Sequence, residues 1–462
     1  NIIEGFGYGI VSLGTGPVAS LRTNAVEMFY NNNNKYIGNY INNVAKGGIF
    51  LGFENNSIVK NNRIDSVGVS NLLGQEIYGI KLGGEYKYLS EDLAYHNLNI
   101  DISGNEISNI YSNLFAYGIK VEQHPIKLVY NSLGYSFPSR TETNDTFKIF
   151  NNIVYDLRTI ENQASTHKVG IGVGTTRQLA YPNALGITYD VPSYPEANTL
   201  LYLHAGTSYN ISNVLVSNNT VSVVDNDINS LETILAGISI QNVNHYEVLN
   251  NAISIVGNGG DIKDASYFYA SALMLQSVNP KKTSSKVNWN AYYVTPMELD
   301  KNLSLVRFFE MDEMDRFLDE GGYASEYISL PQWIGWTGED AGSVTGFDFV
   351  GADMEITDFR FNGLTLYRVF RMQDKNNLTT NSPLNSRASR LSYVTEDAAG
   401  NSRVNLDQNP DIGALEFDCK TYLTDVEVKM ITAPAAYRDM RGKFSDAEYV
   451  MIGGPAVDVK AL

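Results

Sequence analysis

Lys81 and Lys120 stand at matching places in two near-identical runs, YGIKLG and YGIKVE. Glu122 and His124 follow the second, and Arg140, His167, Lys168, Arg177 and His204 lie in or near the next long segments. A base such as Lys, His or Tyr, with a cation or Ca²⁺ to neutralise a uronate carboxylate, is the equipment for β-elimination from an acidic polysaccharide. Hydrolysis would instead need two carboxylates held about 5 to 9 Å apart. No Asp-Asp pair and no Gly-His-Gly occurs. The groups do not assemble into a known catalytic set, and lysines stacked on a repeat face read more simply as solvated positions. No catalytic residue is therefore assigned, and catalysis ranks below binding.

Binding chemistry is better represented. Tyr86, Tyr88, Tyr95, Tyr130, Tyr135, Phe137, Tyr181, Tyr189, Tyr194 and Tyr202 crowd into three long segments, 83–98, 122–148 and 174–213. Flat rings beside polar groups suit sugars, whose apolar faces stack while their hydroxyls need partners. With Lys120 and His124 they form a candidate glycan surface. The plainer reading is that these rings pack their own loops.

What must position them is a repeat. One unit, small-Gly-Ile-x-aliphatic, recurs around Gly9, Gly48, Gly79, Gly118, Gly170 and Gly237, and again with Ala272 in place of Gly. A second, Asn-x-[Ile/Val/Tyr], recurs at Asn39, Asn62, Asn105, Asn152, Asn219, Asn251 and Asn290. The two alternate strictly, and the shortest full period, Asn39 to Asn62, is 23 residues. That length suits one turn of a solenoid adding short parallel strands at about 4.8 Å per turn. Alternate aliphatic residues would face a continuous core. Asn tolerates left-handed backbone at corners and can stack into an amide ladder. Steps from Gly to the next Asn are 30, 14, 26, 34, 49, 14 and 18 residues. The long insertions therefore leave from one corner of successive turns, and in repeat proteins such a face commonly binds.

Composition agrees. The 462 residues carry 49 Asn, 39 Gly and 30 Tyr, a surplus that favours turns and strands over helical bundles. A net charge of −17 argues against nucleic acid or an anionic membrane as partner. No stretch approaches 18 apolar residues, so no membrane insertion is expected. The lone Cys419 excludes a disulfide framework within the chain. Acidic text at Val223–Asn229 and at Asp312, Glu313, Asp315, Asp319 and Glu320 lacks EF-hand spacing. No metal site or cofactor is assigned, with Ca²⁺ left open.

The first 290 residues resemble secreted right-handed parallel β-helix repeat proteins. Further on come YISLPQWIGWTGEDAGSV at Tyr327–Val344, NSPLNSR at Asn381–Arg387, EDAAGNSR at Glu396–Arg403 and DIGALEF at Asp411–Phe417. That order is similar to the ending of β-helix proteins exported by Bacteroidota, a "SLxxWQxxTGxDxxS" segment before a closing "DIGAFE" strand. The arginine pattern of pectate lyases is missing. The resemblance implies type IX secretion, an extracellular cell-surface location and an adhesin-like parent.

The resulting expectation is an all-β chain in three parts. Residues 1–293 form β-helix repeats, 294–417 terminal turns and a closing segment, and 418–462 the start of an immunoglobulin-like β-sandwich. Within 301–320, Leu305, Phe308, Met311, Met314 and Phe317 recur at helical spacing, yet the resemblance favours strand or irregular cap. Asn1 falls inside a repeat and the last residues inside a strand-like run, so the chain reads as an internal piece with further domains at both ends. The expected role is adhesion to a polysaccharide or cell-surface glycan. A lyase or hydrolase and a plain spacer are the alternatives.

Overall fold

The computed structural model describes residues 1–14, 16–19, 26–68, 76–83, 85–88, 91–94, 97–112, 115–122, 129–130, 135–136, 146–159, 165–174, 211–224, 232–241, 243–256, 269–277, 284–295, 303–310, 325–327, 329–345, 384–404 and 408–416. The expected immunoglobulin-like segment, 418–462, lies outside them.

The repeat units become strands of a solenoid-like, almost wholly parallel stack. Each Asn-x-aliphatic unit contributes to a ten-stranded first sheet running from Ile2–Glu4 to Val344–Thr345. Each Gly-Ile unit contributes to a nine-stranded second sheet from Tyr8–Leu13 to Ser325–Tyr327, and a seven-stranded third sheet completes each turn. Register follows the repeat: Ile64 pairs with Ile41 and Ile107, while Ile80 pairs with Ile49 and Ile119. These aliphatics are fully buried and form one core cluster along the stack. Burying each stabilises by about 1.5–3 kcal/mol.

The glycine of the Gly-Ile unit is required by close approach. A Cβ on Gly48, Gly79, Gly118, Gly170 or Gly237 would overlap Ile64, Ile107, Val154, Val221 or Ile253 of the first sheet. At the equivalent position of the next two strands stand Ala272 and then Leu305, both buried.

The amide ladder forms. Asn39, Asn62, Asn105, Asn152, Asn219, Asn251 and Asn290 each donate Nδ2, and all but Asn290 also the backbone N–H, to Oδ1 of the next ladder residue. A second Nδ2 hydrogen of Asn62, Asn105, Asn152, Asn219, Asn251 and Asn290 goes to a carbonyl of the third sheet. The left-handed residue at this corner is not the ladder Asn but the one before it: Gly38, Asn61, Gly104, Asn151, Asn218, Asn250 and Trp289. Dividing the work frees each ladder Asn to donate its backbone N–H along the stack.

Two features close the coil. Residues 303–310 form a strand, as the resemblance suggested for that region, and 311–320 lie outside the described residues. A helix then spans Leu330–Thr337. Pro331 sits in its first turn, Gln332 accepts the N–H of Ser329, and Gly338 ends it with φ 75°. Its buried Trp333 donates Nε1 to Asp340 (2.8 Å), which also accepts Nδ2 of Asn290 (3.3 Å) and the hydroxyls of Tyr292 (2.9 Å) and Ser343. Asp340 thus terminates the ladder, and burial pushes its carboxyl up to about 6 against those four bonds.

Residues 384–404 and 408–416 behave as a strap. They run back along the outer side of the first sheet, where Leu384, Ala388, Ile412, Ala414 and Leu415 cover Ile153, Tyr155, Ala252, Ala291 and Tyr293. The outer, left-handed Asn column holds them. Asn250 exchanges two bonds with the backbone of Ser389 (both 2.8 Å), and Asn151 donates to the carbonyl of Glu396. Asp411–Glu416, expected as a closing strand, is irregular and lies flat against Thr220, whose hydroxyl accepts the N–H of Ala414. Arg403, ion-paired with Glu416 at 3.1 Å, fixes this segment through the carbonyls of Asp411 and Gly413.

Candidate functional site

The second sheet carries the candidate site on its outer face. Beyond the Gly-Ile layer, Tyr78, Tyr117, Val169, Ala236 and Met274 make a small apolar cluster outside the main core, with Tyr8, Phe50 and Phe115 against it. Lys81 and Lys120 are directly opposite each other, as their matching runs imply. They are not solvated. Lys81 pairs with Glu76 (2.6 Å) and Glu122 (3.4 Å), and Lys120 with Glu122 (2.9 Å) and Glu76. Each ammonium also lies over the tyrosine ring of its own strand, at 5.5 and 4.8 Å.

Electrostatics settle what this quartet can do. Lys120 is 1% exposed, and burial works against its charge, but Glu122 and Glu76 outweigh that and hold the ammonium above its ordinary range. Burial likewise opposes charge on Glu76, yet Lys120 and Lys81 keep it below the usual carboxylate range. A lysine acting as a base needs its pKa lowered toward neutrality. Lys120 is driven the other way, so it serves as a fixed cation held by Glu76 and Glu122.

His167 sits one turn further on, in register with Phe115, whose ring centroid is 4.7 Å away. It is 1% exposed, neither ring nitrogen has a hydrogen-bond partner among the described residues, and burial pushes it down to about 4. It is neutral at ordinary pH. Lys168 is buried at the register position of Ala116 and Leu235.

Three insertions leave the second sheet as hairpins, while 175–210 of the expected 174–213 insertion lies outside the described residues. Antiparallel pairs span Gly16–Ala19 with Val26–Phe29, Glu85–Tyr88 with Glu91–Ala94, and Val129–Tyr130 with Tyr135–Ser136. They follow the strands Tyr8–Leu13, Glu76–Gly83 and Phe115–Glu122. Tyr86 pairs in register with Leu93 and Tyr88 with Glu91, and Tyr130 with Tyr135. Tyr95, His124, Phe137, Tyr181, Tyr189, Tyr194 and Tyr202 lie outside the described residues, as do Arg140, Arg177 and His204.

Of the sequence candidates, the structure brings together Lys81, Lys120 and Glu122. Glu76 and the tyrosines of the two YGIK runs were missed, although the identical tetrapeptides and a glutamate five residues before Lys81 carried the signal. No group of three or more His, Cys, Asp or Glu among the described residues could hold a metal ion. No helix among them is long and apolar enough to cross a membrane.

The fold defines an all-β, parallel, solenoid-like protein with a polar and aromatic outer face. Comparison with protein-family models, curated proteins and solved structures finds no match to the chain.

Proposed function

We propose that the chain is a right-handed parallel β-helix of an exported bacterial surface protein, and that its hairpin-bearing edge binds a glycan. One observation carries the reading: three hairpins leave the same sheet at the same point of the turn, two of them from adjacent strands whose outer side chains are Tyr, Lys and Glu. Parallel stacking sets the second and third hairpins about one turn apart and the first two turns before the second, a spacing that suits an extended, repeating ligand. Binding is favoured over catalysis because Lys120 is held as a permanent cation and His167 is sealed in and neutral. The alternating run from 418 to 462 fits the opening of an immunoglobulin-like module, in keeping with a multi-domain adhesin.

The test passes the 462-residue protein over immobilised acidic and neutral polysaccharides with Ca²⁺ present, and analyses the same polymers for shortened products by mass spectrometry. Retention on one polymer without cleavage is the expected result. Unsaturated or hydrolysed oligosaccharides would overturn the non-catalytic reading, and absence of both retention and cleavage would leave a spacer.

A further inference from the structure

The outer face of the third sheet carries a pattern that neither the core nor the ladder requires. Val59, Ile102, Ile149, Val216, Val248 and Val287 are fully buried in the core, so the residue before each of them faces outward. With Lys35 these outward residues form one register column along the stack: Lys35, Ile58, Asp101, Lys148, Leu215, Glu247 and Lys286. The column reads basic, apolar, acidic, and then repeats that order. Lys35 and Lys286 are exposed, and the other five are half-buried.

Pairing between neighbouring strands accounts for part of the pattern. Lys148 lies 3.4 Å from Asp101, and Lys286 lies 3.9 Å from Glu247. It does not account for Ile58 and Leu215, which hold the same place in each period and lie outside the core. The order has a symmetry instead. Reversed and shifted by one strand, the column complements itself: Lys35 meets Glu247, Ile58 meets Leu215 and Asp101 meets Lys148. Unreversed, every charge meets its own kind.

We propose that two copies of the chain pack their third sheets face to face with the coils antiparallel, about a two-fold axis between Asp101 and Lys148. An interface of this kind is self-complementary by construction. At its centre each Asp101 lies between its own Lys148 and that of the second copy. The net charge of −17 opposes self-association in general, but the seven strands of this sheet carry four lysines against two carboxylates. The hairpins rise from the second sheet, so the pairing is independent of glycan binding. Six strands at about 4.8 Å and three to five residues at about 3.3 Å make a patch of roughly 30 by 10–16 Å. That is below the ~800 Å² per partner of a stable complex, which sets a weak dimer with a dissociation constant on the order of 10–100 µM.

Sedimentation equilibrium of the full 462-residue protein tests this. A monomer–dimer equilibrium is expected in about 20 mM salt, weakened at least tenfold in about 0.5 M salt. Lys148→Glu and Asp101→Lys should each be monomeric alone. An equimolar mixture of the two should associate at parental strength, because each supplies the charge that the other lacks. The double exchange Asp101→Lys with Lys148→Asp should dimerise as well, since the antiparallel pairing is restored. A protein that stays monomeric at low salt, a dimer indifferent to either single exchange, or a mixture no more associated than its components would each overturn the proposal.

Discussion

Asn152 is the ladder position at which the hydrogen-bond argument can be tested most sharply. Its Oδ1 accepts two donors from Asn105, the N–H at 3.1 Å and Nδ2 at 2.9 Å. Its Nδ2 serves the carbonyl of Ile102 and Oδ1 of Asn219, both at 3.0 Å, and the residue is fully buried. Asn152→Ala strands two buried donors of Asn105, at about 1–3 kcal/mol each, so a loss of roughly 4 kcal/mol is expected. That is a large share of a typical domain stability of about 5–15 kcal/mol. Asn152→Asp separates bonding from packing because it keeps the shape and the acceptor. Its second oxygen, however, faces two other oxygens, which raises the carboxyl pKa above its unfolded value of about 3.9. A raised folded pKa means the native state holds the proton longer, so stability is greatest below pH 4 and falls as pH rises through the folded pKa. Urea unfolding followed by circular dichroism at pH 4.5 and 7.5, each variant against the parent, measures both effects. Less than about 1 kcal/mol lost in Asn152→Ala, or the same deficit for Asn152→Asp at both pH values, would refute a ladder held by directional amide bonds.

Other substitutions probe the remaining layers. Asp340→Asn puts a donor against the Trp333 N–H and should destabilise at pH 7. It should also abolish the parent's loss of roughly 3 kcal/mol between pH 4 and 6 that follows from a carboxyl raised to about 6, a difference read from urea midpoints. His167→Phe acts with the opposite sign. A histidine depressed to about 4 contributes stability that is complete above pH 6.5 and lost on acidification, so the variant should gain on the parent by roughly 3 kcal/mol near pH 4 and little at pH 7.5. Gly118→Ala would overlap Val154 and should cost more than about 2 kcal/mol. Gly172→Ala, two residues along the next strand, meets only the Tyr117 ring and Val169 at 3.4 Å and should be nearly neutral in thermal melts.

Much of this architecture was readable from spacing, because each turn repeats one local demand. The Asn of every turn has the same neighbours above and below, so a period of 23 or more residues carried the ladder, and the aliphatic alternation carried the core. The inward glycine was visible as a pattern, but its cause, an Ile or Val reaching across from the first sheet, exists only in three dimensions. The helix over Leu330–Thr337 escaped notice inside an otherwise β sequence, although Ser329, Pro331, Gln332 and Gly338 spell out its two ends. The lysines show the limit most clearly. Their stacking was legible, but ion pairing depended on Glu76 and Glu122 arriving from two different turns. The path of the strap had no local signal, since Asn250 and Ser389 are 139 residues apart.

That strap changes how the stack resists being pulled apart. A simple solenoid joins each turn only to its neighbours and can unravel one turn at a time from an end. Here residues 384–404 and 408–416 cross several turns, gripping Asn151, Ser217, Thr220 and Asn250. Turns that never touch are thereby sutured, and a load along the axis is shared in parallel rather than passed in series. The described strap contacts begin only at Phe150 and Asn151, so the turns before them open as a zip while those the strap spans must give way together.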